Sequence, residues 1–462
     1  VIQDLRVDAN SKVATAVTEL NTALDTIVDT NYSIIEFVAS GISTAEMADQ
    51  RDTALNTASE ILDIKYYLTD NKQNLNGDII NYSNEKLELE NYQISPSSLL
   101  IGNGFEKPIG KFQNDVFCFF DNSNDDHGFD IFSAVFYLIS RMEEYNLSKV
   151  DIHGRFISSD SILVQNGVEQ KPIVDLWVYD LKHKLNQKFK TNISSKRLFS
   201  QNCSFDIDNA FAFKHKGLIR YLASLLKDVI KFKKNKLSQR FQMLQGKSND
   251  PYDTYNYIFD YCTKNKLNQI YFFLLGNYGK NDKNISYKHL ALKTLIQNIS
   301  KYAKVGIHPS YNSFHKKEKI KVEMDRLKGI IKAKVNSSRF HYLRFTFPFS
   351  YQNLLDSGIK EDYSMGYSDR IGFRAGTCTP FYFYDLENEI LSDLKIIPFA
   401  YMDGALKDRQ NLSIDQAIID IQKIKKEVQG INGQFTAIWH NESLSDKDRW
   451  IGWRRVFEST WE

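Results

Sequence analysis

The chain has 462 residues, 42% of them hydrophobic and 25% charged, with a formal net charge of +2. This length exceeds one small core and predicts two to three domains, while a charge so near neutral argues against a dedicated nucleic-acid or membrane-surface binder. Cys118, Cys203, Cys262 and Cys378 are far apart, without the paired spacing of a zinc site or a redox dithiol, and suit free thiols in a reducing compartment. No apolar run approaches the roughly 18 residues that an integral membrane segment needs. A cytoplasmic location is therefore expected. The chain begins at Val1, however, so a removed leader and association with the cell envelope stay open.

Residues 1–58 read as a helical hairpin. Val13, Val17, Leu20, Leu24 and Val28 recur at helical spacing, a Gly41-Ile42-Ser43-Thr44 break follows, and a second run passes through Leu55 and Ile61. The stretch from Met47 to Asp52 resembles a segment of bacterial flagellar hook-associated proteins. Residues 59–195 change texture: short β-like runs such as Val116–Phe120 alternate with Asn, Asp, Ser and Gly clusters, and Phe129–Arg141 is apolar on most faces, as in a buried helix. These features predict a small accessory α/β domain. His153, in Asp151-Ile152-His153-Gly154, reads as a surface or turn residue.

From 196 to 462, strand patterns at 202–207, 269–275, 304–308, 340–346, 363–366, 371–375, 396–401 and 434–440 are interleaved with helical ones. The helices are expected at 217–235, 251–265, 286–302, 316–334, 350–357 and 414–428. The lysines between Lys227 and Lys236 read as a solvated helix face. Strand-helix repeats imply a parallel sheet, and about 265 residues suits a closed (β/α) barrel, in which chemistry sits where strands end.

Five residues stand at such ends. In Ser204-Phe205-Asp206-Ile207-Asp208-Asn209 the two acids are spaced i and i+2, so they share one side of an extended chain and can share one cation; the plain alternative is capping of the next helix. His308 ends the run Val305-Gly306-Ile307 and is stopped by Pro309, as a divalent-metal ligand would be placed, although a lone strand-end histidine is more often structural. Arg374 lies in Gly372-Phe373-Arg374-Ala375-Gly376, where its fork could hold a carboxylate, or simply decorate a turn. His440 ends Phe435–Trp439 and is suited to proton transfer. His341 and Asp403 are candidate supporting groups, as are Tyr311 and Trp439 beside the two strand-end histidines; Asp403 has the alternative of capping a helix.

These stretches, with Phe129–Phe156, the Gly246–Thr254 turn and Tyr363–Tyr367, resemble the polysaccharide deacetylases of carbohydrate esterase family four over residues 60–462. More closely, they resemble a bacterial subgroup in which an accessory domain precedes the barrel. The resemblance implies a distorted (β/α) barrel that removes N-acetyl groups from an amino-sugar glycan or glycan precursor with a divalent metal, zinc foremost. Asp206 would be the base, with Arg374 orienting it, and His440 the acid. Asp208, His308 and Asn312 would hold the metal. Asn312 stands where the family has a second histidine, so its oxygen, a water or His315 would have to complete the set. That departure, and the extra Ile207 between the acids, support an alternative: a carbohydrate-binding pseudoenzyme of the same fold. No nucleic-acid partner is expected, and the oligomeric state is left open.

Overall fold

The computed structural model describes residues 78–101, 107–113 and 115–462. The chain divides into compact units at 1–79 and 80–462. The predicted helical hairpin therefore lies outside the described residues.

Residues 80–189 form a small α/β layer. A parallel pair, β1 (Ile80–Tyr82) and β2 (Tyr92–Ile94), and an antiparallel pair, β3 (Lys111–Gln113) and β4 (Val116–Cys118), precede helices α1 (Ile131–Ile139) and α2 (Ile173–Phe189). Asp130 caps α1 by accepting from the Ser133 N–H at 3.1 Å, and it also accepts from Tyr82 Oη and Ser97 N. The same carboxylate thus starts the helix and ties it to the preceding segment. Phe117, Phe119, Phe129, Tyr137 and Trp177 fill a core separate from that of the large sheet.

The large sheet comprises β5 (Ser200–Ile207), β6 (Asn268–Phe273), β7 (Lys304–Ile307), β8 (Ser337–Ser338), β9 (Glu361–Asp362), β10 (Phe381–Asp385), β11 (Ile390–Ile396), β12 (Tyr401–Met402) and β13 (Gln434–His440). Its order is β10-β11-β9-β8-β7-β6-β5-β13-β12, parallel throughout except for the β10–β11 hairpin. One stretch of chain between β11 and β12 bonds to both sides of this order. There Ile397 N donates to Asp362 O at 2.8 Å and Phe399 N to Met365 O at 3.0 Å, on the β9 side, while Ala400 N donates to Thr436 O at 2.8 Å, on the β13 side.

Around the sheet run α3 (Leu218–Ile230), α4 (Lys234–Leu244), α5 (Tyr255–Lys264), α6 (Leu290–Ile299), α7 (Lys317–Ile331), α8 (Phe349–Asp356), α9 (Ile414–Gly430) and α10 (Trp453–Trp461). The two-residue period of a strand sorts side chains between helix face and opposite face. Cys203, Phe205 and Ile207 enter the helix-side core, whereas Ser204 and Asp206 point the other way, towards Ile270, Phe272, Tyr363 and Ile397. Gly306 is required by that crowding: a Cβ there would lie 2.6 Å from Ser337 O and 2.7 Å from the Phe272 ring.

Several predicted elements differ. The strand expected at 340–346 does not extend, because Tyr342 and Leu343 adopt positive φ (62° and 51°). At 371–375 the chain turns to meet the accessory layer, with Phe373 N donating to Glu169 O at 2.7 Å. The helix expected at 217–235 breaks after Ile230, where Phe232 takes φ 49° without any glycine or proline to mark the place. All four cysteines are free and buried.

Candidate functional site

At the carboxyl ends of β5, β7, β8 and β13 a cleft of about 200 Å³ opens. Asp206, Asp208, His308, His341 and His440 line it, with Arg155, Tyr342, Leu343, Met402 and Arg409 among its walls. Parallel pairing brings two of these residues level, since His440 stands opposite Asp206 in the β13–β5 register. His308 is set by the next ladder step, its N–H donating to Phe273 O at 3.0 Å.

Asp206 is buried, and Arg339 Nη1 donates to its Oδ1 at 2.8 Å. Arg339 is itself fully buried, donates to Ser204 Oγ and Tyr363 O, and lies 4.5 Å from the centre of the Phe272 ring. A planar fork with three fixed acceptors holds one carboxylate oxygen and leaves Oδ2 turned towards His308 Nε2, 3.9 Å away.

Asp208, His308 and His341 present one oxygen and two nitrogens within 4.8 Å of one another, a group that could hold a metal ion. His308 Nε2 is 3.0 Å from Asp208 Oδ1, and His341 Nε2 is 3.3 Å from Asp208 Oδ2. Each ring is oriented from behind: His308 Nδ1 faces Arg339 O at 2.5 Å, and His341 Nδ1 faces Asp282 Oδ1 at 2.9 Å. An Nδ1–H used in this way leaves Nε2 of each ring facing Asp208, where either a proton on the ring or a shared cation satisfies the contact. The donor set, two imidazoles and one carboxylate with outer partners in place, fits a divalent ion such as zinc.

The electrostatics express the same arrangement. Burial would raise the Asp208 carboxyl, but His341, the hydrogen bonds from both imidazoles and His440 hold it well below the usual carboxylate range. Burial would lower His341, yet Asp208 and Asp282 push it up to about 9. His440 is likewise opposed by burial, but Asp403, Asp208 and Asp206 raise it well above an ordinary histidine. Asp403 binds His440 twice, through Nδ1 and through the backbone N–H, both at 2.7 Å.

The chain matches two family models, each over less than half its length. Residues 1–83 match the flagellar hook-associated protein FlgK helical domain, in line with the resemblance read from Met47–Asp52. Residues 43–190 match a family of unknown function, DUF7033. No curated protein matches the chain. Among solved structures it is similar to a "putative polysaccharide deacetylase" from Mycobacterium smegmatis, at 12% identity and a TM-score of 0.38, over 59% of this chain and 86% of that one.

Of the residues singled out in the sequence, Asp206, Asp208, His308, His341 and His440 meet at the cleft, with Asp403 behind His440. The others lie elsewhere. Arg374 is not beside Asp206: it is buried against Glu144 of the accessory layer, with Nε donating to Oε1 at 2.8 Å. Its strand was expected at 371–375, and the turn there carries the side chain away. Asn312 is exposed and does not line the cleft, because the chain turns outward after Pro309; His341 occupies the position beside Asp208 and His308. His315 is also exposed and packs on Phe314. Trp439 is fully buried among Tyr401, Trp453 and Phe457, since strand alternation sends it opposite to His440. Tyr311 meets His153 Nδ1 at 3.0 Å and is not among the cleft-lining residues. His153 is thus a rim residue joined to the large sheet's loops.

Arg339 and Asp282 were missed. A signal for the first existed: in Ser338-Arg339-Phe340-His341 the arginine and histidine are two apart, as Asp206 and Asp208 are. Asp282 sits in a polar loop, Asn281–Asn284, with no periodicity to distinguish it.

Proposed function

We propose that the chain is a metal-dependent hydrolase that removes N-acetyl groups from an amino-sugar glycan or glycan precursor. The observation that carries this reading is the convergence on one cleft of an arginine-held carboxylate, an Asp-His-His group and an Asp-supported histidine. We also read the sheet, in which residues 397–400 bond to both the β9 side and β13, as a distorted (β/α) barrel, and residues 59–195 as its accessory domain.

A divalent ion held by Asp208, His308 and His341 would supply Lewis-acid polarisation of the amide carbonyl. Asp206, fixed by Arg339, takes a proton from the water that adds to the acyl carbon. His440 keeps its Nδ1–H on Asp403 and offers Nε2–H to the nitrogen as the carbon-nitrogen bond breaks, so that acetate and a free amine leave. Tyr342, Leu343 and Met402 give the cleft apolar walls against the sugar, while Arg155 and Arg409 supply donors for its oxygens. The pseudoenzyme alternative rests on Asn312 and on the extra Ile207; the first ground weakens because His341 stands beside Asp208 and His308.

Acetate release from a panel of N-acetylated glycans, with and without chelator, tests the proposal. Chelator-sensitive release that Asp206→Asn and His440→Gln nearly abolish is expected. Release unaffected by either substitution would end the assignment.

A further inference from the structure

The connection from β5 to α5 contains a helical hairpin, α3 and α4, that carries a large apolar surface uncovered by any of the described residues. Leu218, Ile219, Leu222, Leu226, Val229 and Ile230 are all exposed along one side of α3. Their spacing of three and four residues makes a continuous stripe. The tip adds Phe232, 83% exposed, between Lys231 and Lys233, and α4 adds Phe241 and Leu244. Solvent-facing helices rarely carry so much apolar surface unless something covers it.

A second, independent feature lies in the same hairpin. A cavity of about 240 Å³ is lined by Lys216, Lys227, Lys233, Lys236 and Arg240, against the carboxylates of Asp228 and Asp448. Arg240 is 3% exposed; its Nε and Nη2 bond to Asp228, and Nη2 also to Ser224, while Nη1 has no hydrogen-bond partner. A buried guanidinium nitrogen left unpaired is costly unless an acceptor reaches it. Lys216 faces the same space, and burial, with Arg220 adding to it, lowers its ammonium to about 8. The unpaired Arg240 Nη1 and the lysines around it favour an anion.

We infer that the α3–α4 hairpin docks on an anionic phospholipid surface, its apolar stripe and Phe232 entering the interface while Arg240 and the surrounding lysines receive a lipid phosphate. An apolar helix face bordered by lysines has the chemistry of an interfacial helix, and the cationic cavity selects anionic headgroups. The near-neutral net charge of the whole chain does not oppose this, because the field that matters within a Debye length is local. The hairpin leaves the sheet from the carboxyl end of β5, the end that carries Asp206 and Asp208, but its role does not depend on the deacetylase reading.

The full-length chain should co-sediment with vesicles of phosphatidylcholine and phosphatidylglycerol, and far less with phosphatidylcholine alone. Ile219→Ser with Phe232→Ser should abolish binding. Lys227→Gln and Lys233→Gln should each weaken it about fivefold, and added salt should weaken it further. These side chains are at the surface, and an unchanged thermal melt would show that the variants fold. Failure of the parent chain to bind anionic vesicles, or binding indifferent to these substitutions, would overturn the inference. So would a parent dimer that Phe232→Ser makes monomeric without any vesicle binding, since the face would then pair copies of the chain. A melting shift with inorganic phosphate in the absence of vesicle binding would assign the cavity to a soluble anion instead.

Discussion

Arg339 and Asp206 form a buried ion pair 2.8 Å long, across strands separated in the sheet by β6 and β7. Neither residue can be removed without stranding the other's charge inside the sheet. The pair therefore both fixes the proposed base and contributes to holding β8 against β5.

Arg339→Lys should keep the charge but lose the three-point fork, displacing Asp206 and reducing acetate release by about 100-fold. Arg339→Met should also destabilise the fold, by about 3–5 kcal/mol, because Asp206 is left unpaired. Arg374→Lys disturbs the pair with Glu144 and the contacts with Gly366 O and the Phe345 and Phe156 rings, none of which lines the cleft, so any loss of activity should follow loss of folded protein. Urea denaturation alongside initial rates separates the two.

Metal content distinguishes the histidine from the asparagine. His341→Ala should lose stoichiometric zinc as measured by elemental analysis of protein dialysed against trace metal, whereas Asn312→Ala should retain it. Asp282→Asn, which weakens the acceptor behind His341 and leaves an amide oxygen for the Tyr311 N–H, should weaken metal binding by about 10–100-fold. Equal metal content in all three variants would refute the ligand set.

The pH dependence of turnover should report His440. Asp403 raises its pKa, so the protonated form needed to donate to the amine persists to higher pH. In Asp403→Asn that support is gone and the proton is lost at lower pH, so the alkaline limb of the rate profile should move towards acid. A limb that stays in place would detach His440 from the acid role.

Acid stability should be controlled in part by His127 of the accessory layer. Burial pushes this histidine down to about 4, with Lys184 adding to the effect, and its Nε2 has no hydrogen-bond partner. The unfolded chain then binds a proton near pH 6.5 that the folded chain refuses until about pH 4. Stability is complete above that window and falls as pH drops through it, by on the order of 3 kcal/mol. His127→Leu should flatten the pH dependence of urea midpoints between pH 6.5 and 4.

Much of the large sheet was legible because a parallel strand buried on both faces reads as a short apolar run, as in Ile270–Leu275, and is followed by a helix of 3.6-residue period. β5, β6, β7 and β13 could be read this way, together with the residues at their ends. Asp206, Asp208, His308 and His440 followed, since a strand end is a local property of sequence.

Partnership across strands is not local. Whether Arg339 or Arg374 reaches Asp206 depends on the turn at 371–375 and the positive φ of Tyr342, neither of which a hydrophobic pattern records. The same holds for His341 in place of Asn312: the sequence by itself determined which strands end in ligating side chains, but only the folding of distant loops onto one cleft decided which of them meet. Local periodicity follows from the covalent geometry of a few residues, whereas the choice of neighbours is made by packing among residues more than a hundred positions apart.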